Sequence, residues 1–62
     1  MNNKKRAKAL TKLLKKSLKL YYEIDATQGI DDTVLDSLYA FMKVLTEDIV
    51  AITGEKLDWD TV

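Results

Sequence analysis

Lys4, Lys5, Arg6, Lys8, Lys12, Lys15, Lys16 and Lys19 put eight positive charges and no negative one into the first twenty residues, while the remaining forty-two carry two positive and ten negative. The formal net charge of zero therefore conceals a chain that is cationic at one end and anionic at the other. Ammonium groups repeated along one rigid element are suited to binding a row of anions. Charge asymmetry between halves points to a polyanion, an anionic membrane surface or an acidic partner protein.

Other chemistries find little to work with. The chain has no Cys and no His, so disulfides, thiolate nucleophiles and the commonest general base are all missing. The spacing from Asp25 to Asp36 has neither the glycine nor the terminal glutamate of an EF-hand loop. Gly29 and Gly54 stand too far apart to form a phosphate-cradling loop, and no nucleophile–base pair is evident. The expectation is a non-enzymatic protein with no cofactor and no metal site. A chain this small also leaves little room for a ligand-sized pocket.

The lysines need an element to hold them, and the apolar pattern supplies it. Pro is absent, and Gly29 and Gly54 are the two glycines, each placed where a helix C-terminal cap would fall. From about residue 3 to 26, Leu10, Leu13, Leu14, Ser17, Leu18, Leu20, Tyr21 and Ile24 share one half of a helical circumference. Lys5, Lys8, Lys12, Lys15, Lys16 and Lys19 share the other half. A second helix, about 32 to 53, carries Leu35, Leu38, Met42, Leu45, Ile49 and Ile52 in unbroken heptad spacing. Asp31 as N-cap would set Ile30 and Leu35 as a hydrophobic staple, with Thr33 and Asp36 as a competing capping box. The turn is expected at about 27–31, and its shortness favours an antiparallel hairpin. In the tail, 54–62, Leu57 and Trp59 are expected to fold back onto a helix end as a lid; a loose acidic tail is the alternative.

The fold class predicted is thus all-α: an antiparallel two-helix hairpin with a short C-terminal tail, dimerising into a four-helix bundle. Two observations motivate the dimer. Small chains without disulfides or metals commonly rely on self-association. The first helix also has two overlapping seams, Ala7, Leu10, Leu14, Ser17, Tyr21, Ile24 and Leu10, Leu13, Ser17, Leu20, Ile24, whereas one hairpin partner covers only one. Leu10, Leu13, Leu20, Ile24 and Phe41 are the candidate oligomer contacts. If Leu57 and Trp59 cover the second seam instead, a monomer suffices.

A run of lysines is usually just a solvated face, but such faces normally mix signs at i,i+4 to gain a few tenths of a kcal/mol. Here Lys4–Lys8, Lys8–Lys12, Lys12–Lys16 and Lys15–Lys19 all repel, at a combined cost of about 1–2 kcal/mol at low salt. Acids of the second half can reach the edges of the row across the hairpin, but not its centre. The row, Lys5, Lys8, Lys12, Lys15, Lys16 and Lys19, is therefore the candidate nucleic-acid contact, reading charge and shape rather than base edges, since it lacks bidentate side chains. Tyr22 at its edge is more commonly a packing residue than a base-stacking one. An inhibitor, adaptor or immunity-type factor acting on an acidic protein surface is the alternative, and peripheral binding to an anionic membrane the next. No run of apolar residues is long enough to span a bilayer, and lysines interrupt any secretory signal core, so a cytoplasmic location is expected.

Overall fold

The structure, a computed structural model, describes residues 2–27 and 32–62. Helix α1 spans Asn3–Asp25 and helix α2 spans Asp32–Thr53. They lie side by side in a body of 41 × 19 × 19 Å. The start of α1 sits beside the end of α2, because Arg6 meets Asp48 at 3.1 Å, and Tyr21 meets Tyr39 nearer the turn, with ring centroids 6.5 Å apart. This is the antiparallel hairpin expected from two amphipathic helices joined by a short connection.

Local signals account for most of the helix ends. Asn2 has extended backbone (φ −65°, ψ 127°) and its Oδ1 accepts from the Lys4 N–H at 2.8 Å, satisfying one of the orphan donors of the first turn. A polar residue so close to the terminus suggests a loose end from its type alone, whereas Asn2 is the N-cap. α1 ends one residue earlier than expected, with Ala26 as C-cap and its N–H on the Tyr22 carbonyl at 3.1 Å. The expected roles of Gly29, Ile30 and Asp31 fall outside the described residues. Gly54 does cap α2: its φ is +72°, and its N–H bonds the Val50 carbonyl at 2.7 Å. That is the left-handed C′ arrangement which glycine adopts without a Cβ penalty, and it turns the chain back along α2.

The core follows the heptad. Leu14 and Met42 are fully buried, and Leu18, Leu45 and Ile49 complete the buried cluster. Leu35, Leu38 and Ile52, the remaining members of the α2 heptad, are half-buried. Ala7 and Ser17 are also buried on α1, and the Ser17 hydroxyl donates to the Leu13 carbonyl at 2.8 Å, so its burial leaves no orphan.

The tail is ordered by specific contacts. Leu57, Trp59 and Val62 pack against the core cluster. The Trp59 indole N–H donates to Thr46 Oγ1 at 2.7 Å, and the same hydroxyl donates to the Met42 carbonyl at 2.9 Å. Thr53 acts likewise a heptad further on, accepting from the Glu55 N–H at 3.2 Å and donating to the Ile49 carbonyl at 3.0 Å. Asp58 closes a turn under Trp59, accepting from the Asp60 N–H on Oδ1 and from the Thr61 N–H on its carbonyl. The lid expected at a helix end therefore lies along the flank of α2, as far back as Tyr39, whose ring meets Trp59 edge-on at 5.3 Å.

The hairpin has two flanks, and heptad spacing identifies them. Tyr39, Thr46 and Thr53 recur every seven residues on one edge of α2, the edge the tail covers. Val34, Phe41 and Asp48 recur every seven residues on the other. On α1 the matching rows are Thr11, Leu18 on the tail side and Arg6, Leu13, Leu20 on the open side. Antiparallel packing sets like flanks together, and the Arg6–Asp48 pair marks the open one. This division explains why Leu18 is buried at 7% exposure while Leu13 and Leu20 remain at 41% and 51%.

Candidate anion-binding face

Lys5, Lys8, Lys12, Lys15, Lys16 and Lys19 are all exposed along α1. The side of α1 that meets α2 is defined by Ala7, Leu14, Ser17 and Leu18, so the lysines point away from the hairpin. From Lys5 to Lys19 the row extends about 21 Å at the helical rise of 1.5 Å per residue. Among the described residues none of the six finds a hydrogen-bond or salt-bridge partner for its side chain, and Arg6–Asp48 is the only salt bridge. That pair sits at the edge of the cationic block, where the opposing helix reaches it, and leaves the centre of the row uncompensated.

The row is arranged against the interests of α1 as an isolated helix. Its first turn contains no acid and its last turn no base, so Lys4 and Lys5 face the positive end of the helix dipole. Like-charge neighbours at i,i+4 add their repulsion. The helix is held instead by burial of its other side. Positive charge is thereby presented on a scaffold that does not depend on neutralising it.

Tyr22 stands about one turn beyond Lys19, 59% exposed, with its ring edge-on to Tyr21 at 5.9 Å. Packing is the commoner expectation for a tyrosine at this position. The observed ring is accessible because Tyr21, not Tyr22, occupies the core position of that turn.

The candidate oligomer contacts separate into two groups. Leu13, Leu20 and Phe41 are 41%, 51% and 45% exposed on the open flank. Leu10 is half-buried against the hairpin's own core, and Ile24 is half-buried as well. Leu10 is spent within the hairpin because its heptad position faces α2. Val34, 50% exposed, also belongs to the open flank, and its spacing of seven from Phe41 is the sequence signal that marks it.

The tail and α2 border a surface groove whose lining includes Lys43 and Lys56 but also Glu47, Asp58 and Asp60. Its mixed signs favour no anion over a cation. Among the described residues no group of three potential metal ligands comes together, and no helix is long and apolar enough to cross a membrane. Compared with known proteins, the chain matches no family model, no curated protein and no solved structure.

Proposed function

We propose that this is a small non-enzymatic helical interaction protein that binds nucleic acid through the lysine face of α1, acting as a homodimer. The observation that carries the reading is that six exposed lysines on one side of a helix have no anionic partner among the described residues. A straight cationic row of about 21 Å matches a phosphate backbone in spacing and sign. A membrane surface suits it less well, because the apolar side of α1 is already buried against α2 and would have to be uncovered to insert. The dimer is supported by the exposed apolar flank of Leu13, Leu20, Val34 and Phe41.

The test is a titration of labelled duplex DNA, RNA hairpins and single strands at several salt concentrations. Neutralisation of four to six phosphates gives a log–log slope of about −3.6 to −5.4 on duplex DNA. Absence of binding to all three at about 50 mM salt, where phosphate contacts are strong, overturns the reading. Co-sedimentation with anionic liposomes and capture of an acidic protein in place of nucleic acid are the outcomes that would redirect it.

A further inference from the structure

The open flank has an internal order beyond mere exposure. Arg6, Leu13 and Leu20 repeat every seven residues along α1, and Asp48, Phe41 and Val34 repeat every seven in the opposite direction along α2. Arg6 and Asp48 are in contact at 3.1 Å, which sets the register between the rows. One heptad from that pair, Leu13 lies level with Phe41, and a further heptad brings Leu20 level with Val34. The flank is thus a ladder with one charged rung and two apolar rungs, its four apolar side chains 41–51% exposed. The tail already covers the opposite flank, so it cannot serve this one.

Resting on the self-association proposed above, we infer that this ladder is the contact of a two-fold dimer whose symmetry axis runs parallel to the helices. Rotation about that axis lays α1 of one copy against α2 of the other at unchanged height. Leu13 then meets Phe41 of the partner subunit, and Leu20 meets Val34 of the partner subunit. Arg6 meets Asp48 of the partner subunit, so the two intramolecular pairs close into a ring of four charges of alternating sign. A two-fold axis perpendicular to the helices instead stacks Leu13 on Leu20 of the partner subunit. It moves Arg6 to the opposite end of the partner subunit, away from Asp48 of the partner subunit, so the Arg6–Asp48 pair does not close across the contact. Closure of the Arg6–Asp48 pairs into that ring, which the parallel axis alone gives, is the ground for choosing it.

A body 41 Å long and 19 Å wide limits the footprint to about 800 Å2 per copy, so the contact can reach but not exceed the about 1,600 Å2 of a standard specific interface. Lys8, Lys12, Lys15 and Lys19 lie on the outer side of their α1 and stay accessible in the dimer, whereas Lys16, three residues from Leu13 and four from Leu20, borders the contact.

The chain has no cysteine, so single introduced thiols report proximity cleanly. Leu13→Cys protein mixed with Phe41→Cys protein under mild oxidation is expected to give several-fold more covalent dimer than Leu13→Cys mixed with Leu20→Cys. The reverse preference overturns the parallel axis while leaving a dimer through this flank. Equal, weak cross-linking in both mixtures together with a dimer mass overturns the flank as the contact. Sedimentation of the unmodified protein at high micromolar concentration tests self-association itself: a mass near 7.1 kDa overturns both it and the arrangement. Leu13→Glu, outside the hairpin core, is expected to weaken association at least tenfold with helicity retained; undiminished association contradicts the proposal. None of these outcomes bears on nucleic-acid binding, which the titration above decides separately.

Discussion

Removing the Trp59 side chain tests whether the tail is integral to the fold or merely rests on it. Trp59 packs against the core cluster, donates to Thr46 Oγ1 at 2.7 Å and meets the Tyr39 ring edge-on. A half-buried indole removes roughly 100 Å2 of apolar surface from water, about 2.5 kcal/mol at 25 cal/mol/Å2. Its hydrogen bond contributes about 1 kcal/mol. Leu57 and Val62 still hold the rest of the tail on the core, so the entropy returned is that of about one freed residue, about 1–2 kcal/mol, which offsets some of this loss. The net expectation for Trp59→Ala is a loss of about 2 kcal/mol. For a domain of this size that lowers the melting temperature by about 8–16 °C. Thr46→Val removes the acceptor of the indole N–H together with the hydroxyl's own bond to the Met42 carbonyl, with an expected cost of about 1–2 kcal/mol. Because Trp59 is the only tryptophan, its emission also reports directly whether the ring has left its seat in the Thr46 variant. Urea unfolding followed by circular dichroism, at one protein concentration throughout, supplies the free energies. A loss below about 0.5 kcal/mol for Trp59→Ala, the range of an ordinary surface substitution, would refute a structural role for the lid.

Gly54→Ala meets no atom within 4 Å, so its cost is the backbone alone at φ +72°, about 1–2 kcal/mol, measured by the same unfolding series. Lys12→Gln combined with Lys16→Gln removes several like-charge neighbours and no partner, so stability should hold or rise by about 0.5–1 kcal/mol at low salt while nucleic-acid affinity falls. A clear drop in melting temperature for that double variant would show that these lysines support the fold.

The helices and the lysine row were legible in the sequence because both depend on local periodicity. A heptad such as Leu35, Leu38, Met42, Leu45, Ile49, Ile52 specifies a helix and its buried side together, and Met42, Leu45 and Ile49 are buried accordingly. The lysines fall on the far side by the same geometry, so the candidate site followed from spacing. Asn2 as N-cap was less legible, since a cap is recognised by its backbone geometry and its bond to Lys4 rather than by residue type alone. The split between the two adjacent tyrosines was legible in the same way: spacing puts Tyr21 on the apolar half and Tyr22 at the edge of the lysine row, where it is 59% exposed.

What the sequence determined by itself, then, is two amphipathic helices of opposite charge character, joined closely enough to pair. Helix periodicity is set within a few residues, and no distant contact is needed to establish it. Tertiary structure decided the fate of the apolar side chains flanking the seam. From spacing alone Leu13, Leu18 and Leu20 are equivalent neighbours of the core, but only Leu18 lies on the side the tail covers. That choice of side is made by the left-handed turn at Gly54 and by Trp59 reaching Thr46 thirteen residues earlier. A bond across that separation, through a reversal of chain direction, leaves no periodic trace in the sequence. Its consequence is that Leu13, Leu20, Val34 and Phe41 remain together on the opposite flank, with Arg6 and Asp48 at their end.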